Sequence, residues 1–346
     1  MKSKLTALII LIAVILILAG CVSNGKSSST RFDKSANETP DAGAQRAVGA
    51  DLSGAADLIM KADLLCLMAA YPGNITNVDK EGTEVYAVLK SGKKLLYDDG
   101  KTKTRDEAMS KPDIQDMLAQ LYPLGPSEGI PEKDCDPGRI RIYDLLEEVY
   151  GDTRKKIEQN LISIGFGWKN LSFNKQNEAA ANLKRLMASL TELSKTKTGI
   201  LNEVFPADGT YNYRIIEGTN RLSPHAFGIA VDLKVNPNDY WRWTERDKGA
   251  KRLAAYPDEI AEKFEEYGFI WGGKWYHFDI MHYEYRPEFI LKARYFTNAG
   301  GVGSSSSGRG GGGSGSEAQA TVWHEGLTRD MPAALDYANL IDSVLK

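Results

Sequence analysis

Several features are scarce in this sequence, and each shortage excludes a class of protein. The formal net charge is only −3, so the chain lacks the basic surplus of proteins that bind nucleic acid or an anionic membrane surface. The first apolar run, from about Leu5 to Leu18, is shorter than the roughly 20 residues that a membrane-spanning helix needs. Only three cysteines and four histidines occur in 346 residues. Any disulfide or metal site therefore depends on very few side chains.

The N-terminus carries a targeting signal. Lys2 and Lys4 precede the apolar run, which ends in "LAGC" at Cys21. A positive start, a short apolar core and a small-residue end are typical of a secretory signal. The last four residues resemble a bacterial lipobox, in which Cys21 is lipidated and becomes the mature N-terminus. A plain membrane anchor, or an ordinary signal with a chance cysteine, stays open. All these interpretations place the fold outside the cytoplasm, and the lipobox predicts a protein that is lipid-anchored to the bacterial cell membrane.

Composition shifts divide the chain into segments after the predicted signal at residues 1–20. Residues 21–50 are polar and lack hydrophobic periodicity, which predicts a flexible tether. Residues 51–175 contain no motif that indicates a role, whereas residues 176–296 contain the suggestive ones. Residues 297–316 form a Gly/Ser linker, and residues 317–346 are too few to make a stable domain alone.

Hydrophobic periodicity predicts an α+β fold, with a mostly antiparallel sheet and flanking helices. Helices and strands do not alternate regularly, which disfavours a parallel α/β arrangement. We expect helices over about Ser53 to Ala70, from the capping box of Thr104 and Glu107 toward Tyr122, over about Asn177 to Ser194, and over "DEIAEKFEEYGF". We expect a hairpin in "EVYAVLKSGKKLLYDD" and strands in "YNYRII", "GIAVDL" and "WYHFDIMHYEY".

Two scarce residue types allow specific predictions. An oxidising compartment would permit a bridge between Cys66 and Cys135, although Cys66 lies in an apolar helical run that equally suits a buried free thiol. "HEGLT" resembles the start of a zinc-binding HExxH helix, but Thr328 stands where the second histidine belongs. We therefore predict that His324 is an exposed tail residue.

Two stretches contain ligand-type residues for one metal ion. In "RLSPHAFGIAVDL", His225 precedes Asp232 by seven residues, and Gly228 permits a turn that brings the chain back. Catalytic zinc commonly takes three protein ligands and leaves one position open. On these residues alone, His225 as a turn cap and Asp232 as an ordinary strand-end carboxylate stay open. "WYHFDIMHYEYRPEF" supplies Asp279 and His282, and a carboxylate beside a metal can move a proton.

Together the two stretches resemble the M15 family of zinc D-Ala-D-Ala carboxypeptidases and L-Ala-D-Glu endopeptidases. That family carries SxHxxGxAxD, which begins here at Ser223, followed by an acid, two residues and a histidine. The resemblance covers about residues 176–296. It implies Zn²⁺ as the cofactor, with His225, Asp232 and His282 as its ligands.

The resemblance also implies roles beside the zinc. Asp279 takes the place of the general base, where many relatives have Glu, and Glu284 is the second choice. Arg214 matches an arginine that lies over the site in relatives, where it steadies an oxyanion or holds a substrate carboxylate. A surface arginine is the alternative. Ser223 either contacts the substrate or shapes the turn.

The spacing of Asp279 and His282 raises a geometric question. Residues three apart in a straight strand face opposite sides, so the chain must bend between them to share one site. His277 is the rival ligand, because it would share a face with Asp279 in a straight strand. Otherwise we expect His277 beside the site.

The resemblance implies metal-assisted hydrolysis of a peptidoglycan stem peptide. "FDIMHYE" resembles the endopeptidase branch slightly more, which favours an L-Ala–D-Glu-type bond over a terminal D-Ala. A non-catalytic wall-binding lipoprotein on the same fold is the alternative of another class. No nucleic acid is expected, and the lipid anchor is the expected contact with the membrane.

Overall fold

A computed structural model of the protein describes residues 42–296 and 323–346, with side chains from residue 54 onward. The predicted signal, the predicted lipidation site Cys21 and the predicted Gly/Ser linker lie outside the described residues. Within the described ranges, no helix is both long and apolar enough to cross a membrane.

The described chain mixes helices with short antiparallel strands, which confirms the predicted α+β class. Its α-helices are α1 (Ala42–Ala70), α2 (Arg105–Ser110), α3 (Ile114–Leu118), α4 (Tyr143–Tyr150), α5 (Arg154–Asn160), α6 (Ala179–Leu193), α7 (Leu201–Val204), α8 (Arg246–Ala254), α9 (Asp258–Glu266), α10 (Pro287–Tyr295), α11 (Glu325–Asp330) and α12 (Ala334–Leu345). Its strands are β1 (Ile75–Glu81), β2 (Glu84–Leu89), β3 (Lys94–Leu96), β4 (Leu161–Phe166), β5 (Lys169–Asn174), β6 (Ala230–Asp232), β7 (Phe269–Trp271) and β8 (His282–Tyr285).

The sheet that positions the site is three-stranded and antiparallel, in the order β6–β8–β7. Asp232 pairs with His282 across β6 and β8, which brings the two predicted ligand stretches side by side. All four residues of β8 are buried, because helices cover the sheet. Tyr283 stacks on Phe264 of α9 with ring centroids 3.7 Å apart. Two further antiparallel groups, β1–β2–β3 and the β4–β5 hairpin, lie outside this sheet.

Residues 51–175 and 176–296 share one hydrophobic core instead of forming separate bodies. The Tyr71 hydroxyl at the end of α1 donates to Glu288 of α10 at 2.7 Å. The Tyr122 hydroxyl donates to Glu265 of α9 at 2.8 Å. These are buried polar contacts, which cost free energy when one partner is removed. The N-terminal region is therefore part of the framework that carries the site.

Several predicted elements need correction. "YNYRII" is no strand; it makes only an isolated bridge between Ile215 and Leu222, and most of its side chains are at least partly exposed. In "WYHFDIMHYEY" only β8 is a strand. The capping box of Thr104 is confirmed, but α2 ends at Ser110 because Pro112 cannot continue a helix. Helix α1 begins at Ala42, earlier than predicted and inside the predicted tether.

The sequence left open whether Cys66 forms a bridge with Cys135, and in the structure Cys66 is a free cysteine. Its side chain faces the core from α1 and is fully buried. Burial raises the pKa of the Cys66 thiol well above its usual value. The second option that the sequence left open, a buried free thiol, is the one that the structure shows.

The prediction that His324 is exposed is also wrong, since its residue is only 8% exposed. It lies at the start of α11, and its ring contacts that of Trp323 with centroids 5.1 Å apart. The following helix α12 packs against α1, where Lys61 Nζ lies 2.6 Å from Asp342. The tail sequence alone gave no sign of this docking.

Candidate metal centre

The first ligand stretch folds as a capped turn followed by a strand. The Ser223 hydroxyl accepts a hydrogen bond from the His225 amide at 3.3 Å and caps the short 3₁₀ turn Pro224–Phe227. Gly228 then adopts φ +68°, a conformation that favours glycine, and its amide donates to the His225 carbonyl. A side chain there would also strike Leu161 at 2.6 Å. The predicted reversal at Gly228 therefore exists, and it delivers the chain into β6.

The second stretch bends where the spacing required it. The His282 amide donates to the Asp279 carbonyl at 3.1 Å, which closes a turn immediately before β8. The Asp279 amide in turn donates to the Gly272 carbonyl at 2.9 Å. Because of this turn, Asp279 and His282 are close together without lying on one straight strand.

His225, Asp232 and His282 converge on one buried point. Their candidate ligand atoms all lie within 4.8 Å of one another, so the group could hold a metal ion. Nε2 of His225 lies 3.2 Å from Nδ1 of His282 and 3.2 Å from Oδ2 of Asp232. Oδ1 of Asp232 lies 2.8 Å from Nδ1 of His282. The three residues singled out from sequence are thus brought together.

These separations fit a tetrahedral metal. Zinc–nitrogen and zinc–oxygen bonds of about 2.0–2.1 Å imply ligand atoms roughly 3.3 Å apart. Two of the three separations are 3.2 Å, and the third, between Oδ1 of Asp232 and Nδ1 of His282, is 2.8 Å. Two imidazoles with one carboxylate is also a donor set of catalytic zinc sites.

Both histidine rings are oriented by acceptors on their far sides. Nδ1 of His225 donates to the Thr210 carbonyl at 2.5 Å, which leaves Nε2 facing the cluster. Nε2 of His282 lies 3.1 Å from Oε1 of Glu284, which leaves Nδ1 facing the cluster. Such outer hydrogen bonds are the usual means of fixing the ring orientation of a metal-ligating histidine. The arrangement therefore fits metal ligation through one nitrogen of each ring.

The electrostatics of the cluster favour charged forms despite burial. Burial alone would raise the pKa of Asp232, but His225 and His282 outweigh it and hold that pKa far below its usual range. Burial would lower the pKa of His282, yet hydrogen bonds to Asp232 and Glu284 raise it to about 10. A bound cation would meet an ionised Asp232.

The carboxyl of Asp279 has surroundings unlike those of Asp232. Burial raises the pKa of Asp279 to about 7, against the opposing charges of His282 and Arg139. Its Oδ1 is among the few buried side-chain oxygens of the described chain that make no hydrogen bond. A buried carboxyl with a free oxygen beside a ligand cluster is suited to exchange a proton.

The arginine predicted from sequence, Arg214, differs in its surroundings from Arg139, which lies close to the ligand stretch. Arg214, predicted from sequence, is exposed, and its guanidinium makes no ion pair with any described residue. Its carbonyl only accepts a backbone hydrogen bond from Ser223. Arg139 was missed: it donates to the His277 carbonyl at 3.0 Å, and its guanidinium lies 5.2 Å from the Trp275 ring centroid.

His277 does not belong to the ligand cluster. Nδ1 of His277 lies 2.6 Å from Oδ2 of Asp136, and its ring contacts that of Trp241. The rival ligand therefore lies beside the site, paired with the N-terminal region. Thr210, Asp136 and Arg139, which make these contacts, lie outside both motifs, so sequence reasoning had no pattern by which to find them.

A buried pair of imidazoles with a carboxylate, and one further carboxyl beside them, is the arrangement of hydrolytic metal sites. Residues 217–285, which are 69 of the 346 residues, match an M15 family model described as D-alanyl-D-alanine carboxypeptidase. The segment that carries the ligand cluster is therefore similar to M15 peptidases over about one fifth of the chain, and this similarity supports a peptidase that acts on cell-wall peptides. Comparison with curated proteins and with solved structures gave no significant match.

Proposed function

We propose that the protein is a zinc-dependent peptidase that hydrolyses peptidoglycan stem peptides. The convergence of His225, Asp232 and His282 within the segment that matches the peptidase family carries the proposal. When bound, zinc supplies a Lewis acid that polarises the scissile carbonyl and makes water easier to deprotonate.

Residues of the chain transfer the proton and hold the metal ligands in place. The Asp279 carboxylate accepts a proton from the attacking water and returns it to the leaving amine. Thr210 and Glu284 hold the two imidazole rings from behind. Ser223 shapes the turn that carries His225, which supports a structural role for it. Glu284 is a poor substitute base, because Arg141 and His282 already occupy its two oxygens.

For the bond that is cut, we favour an L-Ala–D-Glu-type endopeptidase. The Asp at position 279 and the sequence "FDIMHYE" resemble that branch of the family. Removal of a terminal D-Ala is the second candidate, because the matched family model is described as a carboxypeptidase.

The test is digestion of purified peptidoglycan with the protein, followed by mass spectrometry of the new termini. An endopeptidase creates D-Glu N-termini on the released peptides. A carboxypeptidase releases free D-Ala and leaves stem peptides one residue shorter. No new terminus with zinc-loaded protein would contradict both and support a non-catalytic wall-binding lipoprotein.

We also propose that the protein is lipid-anchored on the outer side of the bacterial cell membrane, which rests on "LAGC" after a short apolar run. Cys21→Ser should then abolish metabolic labelling with a fatty acid and leave unprocessed or released protein. Persistent labelling of Cys21→Ser would contradict the lipobox interpretation.

A further inference from the structure

The segment just before α4 supplies a buried arginine to the back of the metal centre. Arg141 is 6% exposed, and its guanidinium faces the Glu284 carboxylate in two places. Nε donates to Oε2 at 3.1 Å, and Nη2 donates to Oε1. Nη1 donates to the Arg139 carbonyl at 3.0 Å, which fixes the plane of the fork. Arg141 lies outside residues 217–285, so the matched family segment does not include it.

Glu284 transmits this contact to a ligand. It stands two residues after His282 on β8, so both side chains lie on the same face of the strand. Oε1 of Glu284, the oxygen that Nη2 of Arg141 holds, also accepts from Nε2 of His282 at 3.1 Å. Arginine has hydrogen-bond donors only, so the Glu284 carboxylate accepts from Arg141. It accepts from His282 as well. The ring of His282 then turns Nδ1 toward His225 and Asp232.

A second arginine, Arg286, competes with Arg141 for the Glu284 carboxylate. Nη1 of Arg286 lies 3.7 Å from the other oxygen of Glu284, while Nε of Arg286 binds Glu288 at 2.6 Å. Without Arg141, the buried carboxylate would turn toward Arg286, because a buried charge must stay paired. That movement would take Oε1 away from Nε2 of His282.

We propose that Arg141 is a positioning residue for the metal ligand His282, acting through Glu284, so that the N-terminal region completes the metal centre. The inference rests on the proposed function in one respect, namely that the cluster binds zinc. It assigns a role to the segment around Arg141, for which the sequence gave none.

The experiment measures zinc affinity by chelator competition and thermal unfolding of the metal-free protein in parallel. Arg141→Met and Glu284→Gln should each weaken zinc binding by about 10–100-fold, the usual effect of losing such outer support. Arg141→Lys should lie between Arg141→Met and the parent, because a lysine keeps the charge but loses the fork. The visible spectrum of the Co²⁺-loaded protein should change in the same order.

The matched control is Asp63→Asn. Asp63 also forms a buried ion pair between the two regions, with Lys292 at 2.6 Å, but neither residue touches the cluster. This variant should lower the unfolding temperature and keep the parent's zinc affinity and Co²⁺ spectrum. A merely structural role for Arg141 predicts that its variants behave in the same way.

Zinc affinity of Arg141→Met within twofold of the parent would overturn the proposal. If Arg141→Met does not fold, Glu284→Gln and Arg141→Lys decide by the same criterion. A parent protein that binds no zinc would instead overturn the proposed function, and this inference with it. The two failures are thus separable in one set of titrations.

Discussion

Asp279 and Glu284 flank His282 at the scale of single residues, and their surroundings assign them different work. Glu284 is held by Arg141, whose charge together with that of His282 outweighs burial and keeps the pKa of Glu284 well below its usual range. Asp279 has a free oxygen, and its pKa is raised to about 7 by burial. An anchored carboxylate suits orientation, whereas a free one suits proton exchange.

Asp279→Asn should keep zinc and lose hydrolysis. The amide preserves the shape but cannot accept the proton, and loss of a positioned acid–base group costs about 10²–10⁴-fold in rate. Steady-state kinetics on a stem peptide, with zinc content measured beside them, test this expectation. Unchanged turnover would rule out Asp279 as the base. Loss of zinc would instead make Asp279 a ligand.

Arg139 and Arg214 can be separated by the same assay. Arg139 is held between Trp275 and the His277 carbonyl near Asp279, whereas Arg214 is exposed. Arg139→Ala should lower kcat by about 10²–10³-fold if it donates to the oxyanion. If it holds a substrate carboxylate, KM should rise instead. Arg214→Ala is the matched comparison, and a larger loss of activity there would support the assignment of Arg214 made from sequence.

At the scale of elements, the turn through Gly228 connects the two ligands of the first stretch, His225 and Asp232. Gly228→Ala should be destabilising, by about 1–2 kcal/mol for the left-handed backbone and by a further amount for the contacts of the added carbon with Leu161 and the Asn174 amide. Zinc affinity should fall as well, because His225 and Asp232 move apart.

Gly218→Ala provides the control for this prediction. Gly218 has φ +75°, and no atom lies within 4 Å of the added carbon, so only the backbone cost applies. Denaturant unfolding of both variants measures the difference. Equal losses of stability would show that the close approach to Leu161 is unimportant.

The sequence predicted those elements whose signal is local. The helix predicted over about Asn177 to Ser194 is present as α6, and the ligand triad followed from two short motifs. The strand predicted for "YNYRII" failed because alternation of side-chain types does not supply a pairing partner. Arg141 could not be found, since its partner Glu284 is 143 residues away and no periodicity links them.

At the scale of the whole molecule, the boundary near residue 176, where the family resemblance begins, divides a single hydrophobic core. Tyr71, Asp63 and Tyr122 of the N-terminal region pair with Glu288, Lys292 and Glu265 respectively. A fragment of residues 176–296 lacks the N-terminal partners, so Glu288, Lys292 and Glu265 would be buried without partners or exposed to water. Either outcome costs several times a typical hydrogen bond of about 1 kcal/mol.

Residues 176–296 expressed alone should therefore lack a cooperative unfolding transition, whereas residues 42–346 should show one. Thermal unfolding followed by near-ultraviolet circular dichroism, with amide dispersion in NMR spectra, compares the two. A cooperative transition and dispersed amides in the short fragment would contradict the shared core.

The position of β8 along the chain has a consequence for timing. His282 and Glu284 are contributed after every other group that forms or supports the cluster, including Thr210 and Arg141. Chains are synthesised from the N-terminus, so a growing polypeptide already contains Thr210 and Arg141 before the last ligand, His282, is added. The cluster can form only once β8 has been made, so an incomplete chain lacks the proposed zinc site.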